Sequence, residues 1–159
     1  NSLLNCRIEG LENKSPAVII IDRSFKIKRN LKIFKDRSRK IFIFTQTKNT
    51  FKEKYFKKIG VNIIKLKNSK NSKNNVCEVY FYLKQLGFNR ILIESGVKYI
   101  NEALQNNLIK NFYLFKSSLS IKNAGKNNAS ITLIKKLKAT IKNKVKINLN
   151  GDSLYKIQI

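Results

Sequence analysis

The stretch that most constrains the fold runs from Arg90 to Gln105 and reads RILIESGVKYINEALQ. A short apolar run ends in a carboxylate, Glu94, and Ser95-Gly96 follows as a turn signal. Beyond Gly96, apolar residues recur at the three-to-four spacing of one helix face, so the pattern predicts a strand, a tight turn and a helix. In an open α/β sheet, ligands bind in the crevice at the carboxyl ends of the strands. A helix N-terminus at that place attracts phosphate.

Gly96 and Glu94 each have two interpretations at this point. Gly96 could serve a generic strand-to-helix turn through its backbone freedom, or it could leave room for a phosphate. Glu94 is expected to end a buried strand, where an unpaired carboxylate would be costly, so it requires a partner. That partner is either the backbone N–H groups at the helix start or the hydroxyl and amino groups of a ligand.

The remaining sequence predicts alternating strands and helices. Strands are predicted at 17–21, 41–45, 61–66, 90–94, 111–116 and 131–137, and helices at 51–59, 76–86 and 97–108. Residues 25–34 are expected to form an irregular connection, 68–75 a loop, and 144–159 a hairpin that turns at Asn150-Gly151. This order predicts an α/β domain with a mixed, mostly parallel sheet flanked by helices and an antiparallel C-terminal hairpin.

The net charge of +25 raises nucleic acid as a partner. However, only six of the 34 basic residues are arginine, the residue that dominates specific base and phosphate recognition. Lysine, asparagine and isoleucine all have A/T-rich codons, and a drift toward such codons would make the surface basic without a function. A non-catalytic, lysine-rich nucleic-acid-binding domain stays open as an alternative.

The positions of the aromatic residues discriminate between these interpretations. Modules that bind single strands interleave aromatic and basic residues on an exposed face. Here Phe42, Phe44, Phe112, Tyr113 and Phe115 all lie in apolar predicted strands. We therefore expect them in the core, which argues against specific nucleic-acid recognition.

Several other chemistries are excluded by composition. The chain has no histidine, so Ser-His and Cys-His nucleophilic mechanisms cannot operate within it. Cys6 and Cys77 are far apart and have no histidine to join them, so no metal site is predicted. Unpaired thiols are typical of a reducing compartment, and no apolar run is long enough to span a membrane. We expect a cytoplasmic protein without a membrane partner. Because the chain opens on Asn1 and contains no methionine, it is expected to be a piece of a longer protein.

The motifs, in the order in which they occur along the chain, resemble the reductase domain of the bifunctional riboflavin biosynthesis deaminase/reductase. The fold of that family is that of dihydrofolate reductase. The most specific part of the resemblance is Glu94-Ser95-Gly96, where the family has E-G-G. The resemblance covers nearly the whole chain, and its other parts are 1–7, 16–34, 43–45, 60–64, the remainder of 83–104, and 150–154.

The resemblance implies an NADPH-dependent reduction of 5-amino-6-(5-phosphoribosylamino)uracil to its ribitylamino form. A related reductase acting on the non-deaminated diaminopyrimidine is an open alternative. The implied partner is this small pyrimidine ribosyl phosphate, with no specific nucleic acid, and the implied assembly is a homodimer.

Site residues carry over by position, and none of them is assigned a catalytic step. Those implied to contact the substrate are Glu94, Arg7 and Leu4, with Arg7 at its phosphate. Those implied to contact the cofactor are Gly96, Val97, Lys98, Tyr99, Ile100, Asn101, Glu102 and Arg23. A cation such as Arg23 can pair with a cofactor phosphate.

The chain also departs from the family pattern. Ser95 replaces the first glycine of E-G-G, Ser117-Ser118-Leu119 stands in place of A-P-K, and Ile109-Lys110-Asn111 lacks the acids of V-D-E. Residues 1–159 are interpreted as a single reductase domain without the family's first strand and without the upstream deaminase domain. The resemblance therefore predicts the fold and the family more strongly than the activity of this piece.

Overall fold

A computed structural model describes residues 4, 6, 8–67, 72–119 and 144–158. The chain divides into two compact units, Asn1–Lys70 and Asn71–Ile159, and each is described by itself. Within the described ranges, no helix combines the length and the hydropathy needed to cross a bilayer.

The first unit is built on a parallel three-stranded sheet. Its strands are β1 (Val18–Ile21), β2 (Ile41–Thr45) and β3 (Val61–Lys65), in the order β1-β2-β3. All five residues of β2 are buried, as expected for a central strand covered on both faces. The strands predicted over 17–21, 41–45 and 61–66 are therefore confirmed.

Helix α1 (Thr50–Lys58) joins β2 to β3, and identifiable residues cap both of its ends. The Asn49 side chain accepts the Lys52 N–H at 3.0 Å, and the Glu53 carboxylate accepts the Asn49 N–H at 3.1 Å. This reciprocal pair resembles a capping box with its glutamate one position later than usual, and it satisfies backbone donors that the helix itself cannot. At the other end Gly60 adopts φ +80°, the left-handed conformation that commonly ends a helix.

The irregular connection between β1 and β2 is fixed by side chains. The Asp22 carboxylate accepts the Ile27 N–H at 2.6 Å, and the Lys52 ammonium donates to the carbonyl oxygens of Phe25 and Ile27 at 2.6 and 3.1 Å. A short 3-10 turn, Lys32–Phe34, completes the connection. Residues 25–34 are thus irregular, as predicted, and also well anchored.

The second unit contains two helices and an antiparallel strand pair. The helices are α2 (Ser72–Gln85) and α3 (Val97–Gln105), and the strands are β4 (Asn111–Lys116) and β5 (Ser153–Gln158). The predicted strand 111–116 is confirmed. Helix α2 begins at Ser72, so the loop predicted over 68–75 is wrong from that residue onward, while 68–71 lie outside the described residues. Lysine is a good helix former and serine and asparagine suit helix starts, so a polar tract can open a helix as readily as form a loop.

The C-terminal turn is confirmed, and the hairpin is confirmed in part. Asn150 and Gly151 have φ values of 49° and 96°, as a two-residue hairpin turn requires. Strand β5 follows the turn, but its main partner is β4. The stretch before the turn reaches β5 only at an isolated bridge, Lys144 to Tyr155. The strand predicted over 131–137 lies outside the described residues.

The strand predicted over 90–94 is wrong. Residues 88–96 form no helix or strand, and the side chains of Ile91 and Leu92 are 39% and 81% exposed. An apolar run becomes a strand only where a neighbour supplies hydrogen bonds. In the described part of the second unit, β4 and β5 pair with each other and not with this segment.

Candidate functional site

Gly96 occupies the position immediately before α3 and is its N-cap residue, with φ −66° and ψ 158°. Every L-residue can adopt this extended conformation, so the backbone does not require glycine here. A Cβ added at Gly96 would meet no atom within 4 Å. Backbone freedom and close packing therefore both fail to explain the glycine. Glycine is a favoured N-cap residue, and the open space beside it would also let a ligand approach the backbone.

The N-terminus of α3 has the electrostatics of an anion site. No side chain caps it, and its first turn contains no acidic residue. Its first N–H groups, those of Val97 and Lys98, have no partner within the helix and carry the positive end of the helix dipole. The exposed Lys98 adds a full positive charge in the same turn. This arrangement can hold a phosphate through backbone N–H groups and a nearby ammonium.

Glu94 lies two residues before Gly96, the N-cap of α3, and is exposed. The expectation that it ends a buried strand is wrong, because residues 88–96 are not paired into a sheet. Its carboxylate forms no hydrogen bond or ion pair with the residues that the structure describes. An ionised carboxylate only accepts hydrogen bonds, so Glu94 is available to a ligand that carries hydroxyl or amino groups.

Residues 99–102, which the resemblance assigns to cofactor binding, do not all face the start of α3. The Tyr99 and Ile100 N–H groups donate to the Gly96 carbonyl at 3.0 and 3.2 Å, so the helix itself uses them. Asn101 is half-buried. Glu102 is only 7% exposed, and its Oε2 atom has no hydrogen-bond partner among the described residues. The 3.6-residue period rotates these side chains around the helix, so they cannot all line one phosphate chain.

Arg23 directly follows β1 and Asp22, at the carboxyl edge of the parallel sheet. Its carbonyl accepts the N–H groups of Gln46 and Thr47 at 3.1 and 3.2 Å. The same carbonyl accepts the hydroxyls of Thr45 and Thr47 at 3.2 and 3.0 Å. The residue is half-buried, and its guanidinium forms no hydrogen bond or ion pair within the described ranges. A cation with an anchored backbone is thus available for an anion.

The two residues predicted to contact substrate near the N-terminus differ in what the structure describes. Leu4 is half-buried and packs against the core of the first unit, and its carbonyl oxygen accepts a hydrogen bond from Arg39 Nη1 at 2.6 Å. Arg7 lies outside the described residues. Leu4 and Arg23 belong to the first unit, whereas Glu94 and the residues after Gly96 belong to the second.

Polar residues at the carboxyl edge of β2 and β3 were missed by the sequence analysis. Lys65 Nζ donates to the Thr47 carbonyl at 2.8 Å and to Glu53 Oε1 at 2.6 Å. The hydrogen bond from Lys65 is the main cause that lowers the pKa of Glu53. The sequence signal was Thr45-Gln46-Thr47 directly after a buried strand, because that edge of a parallel sheet is where ligands bind.

The aromatic residues divide between the core and the surface. Phe42 and Phe44 of β2 are 6% and 0% exposed, as expected. Tyr113 and Phe115 of β4 are 51% and 67% exposed, so the expectation of burial is wrong for them. Strand residues alternate between two faces, and these two share the solvent-facing one. Lys156 Nζ lies 5.9 Å from the centre of the Tyr113 ring on the paired strand.

Comparisons with known proteins agree with this architecture. The sequence profile of the RibD C-terminal domain matches residues 1–139. Among solved structures, a diaminohydroxyphosphoribosylaminopyrimidine deaminase/5-amino-6-(5-phosphoribosylamino)uracil reductase from Thermotoga maritima is similar, with a TM-score of 0.66 and 15% identity. The likeness covers 99% of this chain and 41% of that protein, so this chain spans less than half of its length. No curated protein matches in sequence. The structural likeness confirms the predicted dihydrofolate-reductase-like α/β fold.

Proposed function

Because this chain belongs to the RibD C-terminal domain family, we propose that it is a reductase domain of riboflavin biosynthesis. The proposed reaction is the NADPH-dependent reduction of 5-amino-6-(5-phosphoribosylamino)uracil to its ribitylamino form. The similar protein from Thermotoga maritima is named for a reductase of that compound, which supports the assignment. The unpaired thiols of Cys6 and Cys77 fit a reducing compartment such as the cytoplasm.

The observation that carries this proposal is the open space at Gly96. A dinucleotide pyrophosphate binds where backbone N–H groups point at it and where no Cβ stands in its way. Gly96 supplies that access, Val97 and Lys98 supply the N–H groups, and the Lys98 ammonium supplies charge. NADPH supplies the hydride when bound, and the residues of this chain bind and orient the reactants.

Glu94 is the residue proposed to hold the substrate. The pyrimidine and its ribosyl group offer amino and hydroxyl donors, and the Glu94 carboxylate is exposed and has no partner among the described residues. A carboxylate that accepts two such donors orients the substrate without taking part in proton transfer. Arg23 of the first unit is proposed, taken by itself, as a cation that can pair with a phosphate.

Replacing Glu94 with glutamine tests this role. Glu94→Gln keeps the shape and removes the charge, so turnover or substrate affinity should fall about tenfold or more, since one lost charge-assisted hydrogen bond is worth about 1.5–3 kcal/mol. The free energy of unfolding should change by less than about 0.5 kcal/mol, because the side chain is exposed. Glu9→Gln, also at an exposed glutamate, is the matched control and should alter neither quantity. Unchanged substrate binding in folded Glu94→Gln would place the site elsewhere.

Single-stranded nucleic-acid binding is the second candidate, favoured by the exposed rings of Tyr113 and Phe115 and by the ammonium of Lys156 close to Tyr113. If the reductase proposal is right and the basic surface is incidental, single-stranded DNA should bind weakly and without regard to sequence. That binding should fall steeply as salt rises, because phosphate neutralisation releases counterions. Fluorescence anisotropy against salt measures it. Tight, sequence-selective binding at physiological salt that Phe115→Ala abolishes would favour the nucleic-acid candidate instead.

A further inference from the structure

The first unit contains a pocket of about 280 Å³ at the amino-terminal edge of its parallel sheet. The first residues of β2 and β3, Ile41 and Val61, form part of its wall. The loop before β2 and the end of α1 form the rest. Arg23 and the ligand-binding carboxyl ends of the strands lie at the other edge of the same sheet. The pocket is therefore separate from the proposed cofactor residues of this unit.

Basic side chains dominate the polar lining of this pocket. Arg37, Arg39 and Lys58 line it, together with one carboxylate, Asp36. Two of the six arginines of the chain thus meet in one pocket. A drift toward lysine codons raises the charge everywhere, but it does not gather arginines at one place. The planar guanidinium matches phosphate geometry, which makes arginine the usual residue for phosphate recognition.

The loop that carries the two arginines is fixed before any ligand arrives. The Arg39 side chain is 3% exposed; its Nη1 atom donates to the Leu4 carbonyl at 2.6 Å, and its Nε atom lies 3.4 Å from Asp36 Oδ2. Asp36 Oδ1 accepts the Ser38 N–H and hydroxyl at 3.0 and 2.6 Å. A rigid wall lowers the entropy cost of binding a ligand.

The charges do not cancel within the pocket. The Ser38 hydrogen bonds, followed by the charge of Arg39, lower the pKa of Asp36, so this carboxylate stays ionised and offsets one of the three cations. Arg37 and Lys58 are exposed and form no hydrogen bond or ion pair with the residues that the structure describes. Lys58 also offsets the negative end of the α1 dipole. Arg37 has no comparable structural role in the part of the chain that the structure describes.

We propose that this pocket binds the phosphate group of a small metabolite, independently of the reductase function. Arg37 and Lys58 contact the phosphate, and the buried Arg39 supplies a fixed positive charge in the wall. Pockets for drug-sized ligands span about 300–1,000 Å³, so 280 Å³ suits inorganic phosphate or a small phosphate monoester rather than a dinucleotide.

Titration with inorganic phosphate and with ribose 5-phosphate, each at fixed ionic strength set with sodium chloride, tests the proposal. Calorimetry should show saturable binding of at least one of them, and backbone amide NMR signals of Arg37 and Gly60 should shift during the titration. Binding of the ester alone would assign the pocket to monoesters, and binding of phosphate as well would assign it to the phosphate group itself. Saturation by neither compound would overturn the proposal.

A pair of double variants distinguishes phosphate binding in the pocket from attraction to the overall positive charge of the chain. Arg37→Gln with Lys58→Gln should weaken phosphate binding about tenfold or more, which corresponds to about 1.4 kcal/mol. Lys35→Gln with Lys40→Gln removes the same charge from exposed positions outside the pocket lining and should leave binding nearly unchanged. Equal losses in both double variants, or no loss in the first, would overturn the proposal. All four side chains are exposed, so both variants should fold, as circular dichroism can confirm.

Discussion

Valine in place of Gly96 separates a ligand-binding role from a structural one. The native φ of −66° and ψ of 158° suit any L-residue, and the new Cβ meets nothing within 4 Å. Removing a glycine restricts the unfolded chain, which stabilises by about 0.4–1 kcal/mol. Valine is a poorer N-cap residue than glycine, which costs a similar amount, about 0.5–1 kcal/mol. The free energy of unfolding should therefore change by less than about 1 kcal/mol.

The effect on the cofactor should be much larger than the effect on the fold. The valine methyl groups would fill the space through which a phosphate reaches the N–H groups of α3, so NADPH affinity should fall about tenfold or more, a loss of about 1.4 kcal/mol. The NADPH affinity of Gly96→Ala, which adds one carbon, should lie between the affinities of the wild type and of Gly96→Val. Urea unfolding followed by circular dichroism measures the fold, and the enhancement of nicotinamide fluorescence on binding measures the affinity.

Gly87 provides the contrasting control, because it lies in the same unit and adopts φ +83°. Gly87→Val should strain the backbone by about 1–2 kcal/mol, while NADPH affinity per folded molecule stays unchanged. The reasoning about α3 is refuted if folded Gly96→Val binds NADPH as tightly as the wild type does.

Two further predictions concern the first unit. Phe56 is fully buried, and its ring centroid lies 5.9 Å from that of Phe25 and 4.9 Å from that of Phe34. Phe56→Ala should therefore lower the free energy of unfolding, measured by urea denaturation, by about 3–5 kcal/mol. A loss below about 1 kcal/mol would contradict this packing. Glu53 has its pKa lowered, chiefly by the Lys65 hydrogen bond, from an ordinary value of 4.5. Its ion pair should therefore stabilise the fold above about pH 4.5 and lose that effect as pH falls through the lowered pKa. Glu53→Gln should flatten this part of a stability profile measured across acidic pH, and an unchanged slope would argue against the ion pair.

The elements that the sequence predicted well are those in which local chemistry is sufficient. The apolar segments at 17–21, 41–45 and 61–66 are short and bounded by polar residues, proline or glycine, which favours strands, and the structure places them in one parallel sheet. Helix α1 ends at a glycine in the left-handed conformation, which the position of Gly60 after a periodic segment predicts. The turn at Asn150-Gly151 was predicted for a similar reason, because both residues suit the positive φ values of a two-residue hairpin turn.

The failures occur where the outcome depends on distant partners. The apolar run 91–93 looks like a buried strand, but no run specifies which neighbour will supply its hydrogen bonds. Tyr113 and Phe115 alternate with half-buried residues, and the sequence does not say which face of β4 is covered. The candidate site was predicted in part: Glu94 and Gly96 were identified, but their exposure and the reason for the glycine required the structure. A homodimer and a single domain over 1–159 stay predictions.

The most direct test of the proposed function is product formation from labelled cofactor. The protein is mixed with NADPH that carries deuterium at the transferable position of its nicotinamide ring, and with either 5-amino-6-(5-phosphoribosylamino)uracil or its non-deaminated diaminopyrimidine counterpart. Mass spectrometry should find the ribitylamino product of the uracil compound carrying the deuterium, formed in step with NADPH oxidation. A labelled product from the diaminopyrimidine alone would reassign the substrate. If folded protein yields no labelled product from either compound, the reductase proposal is contradicted.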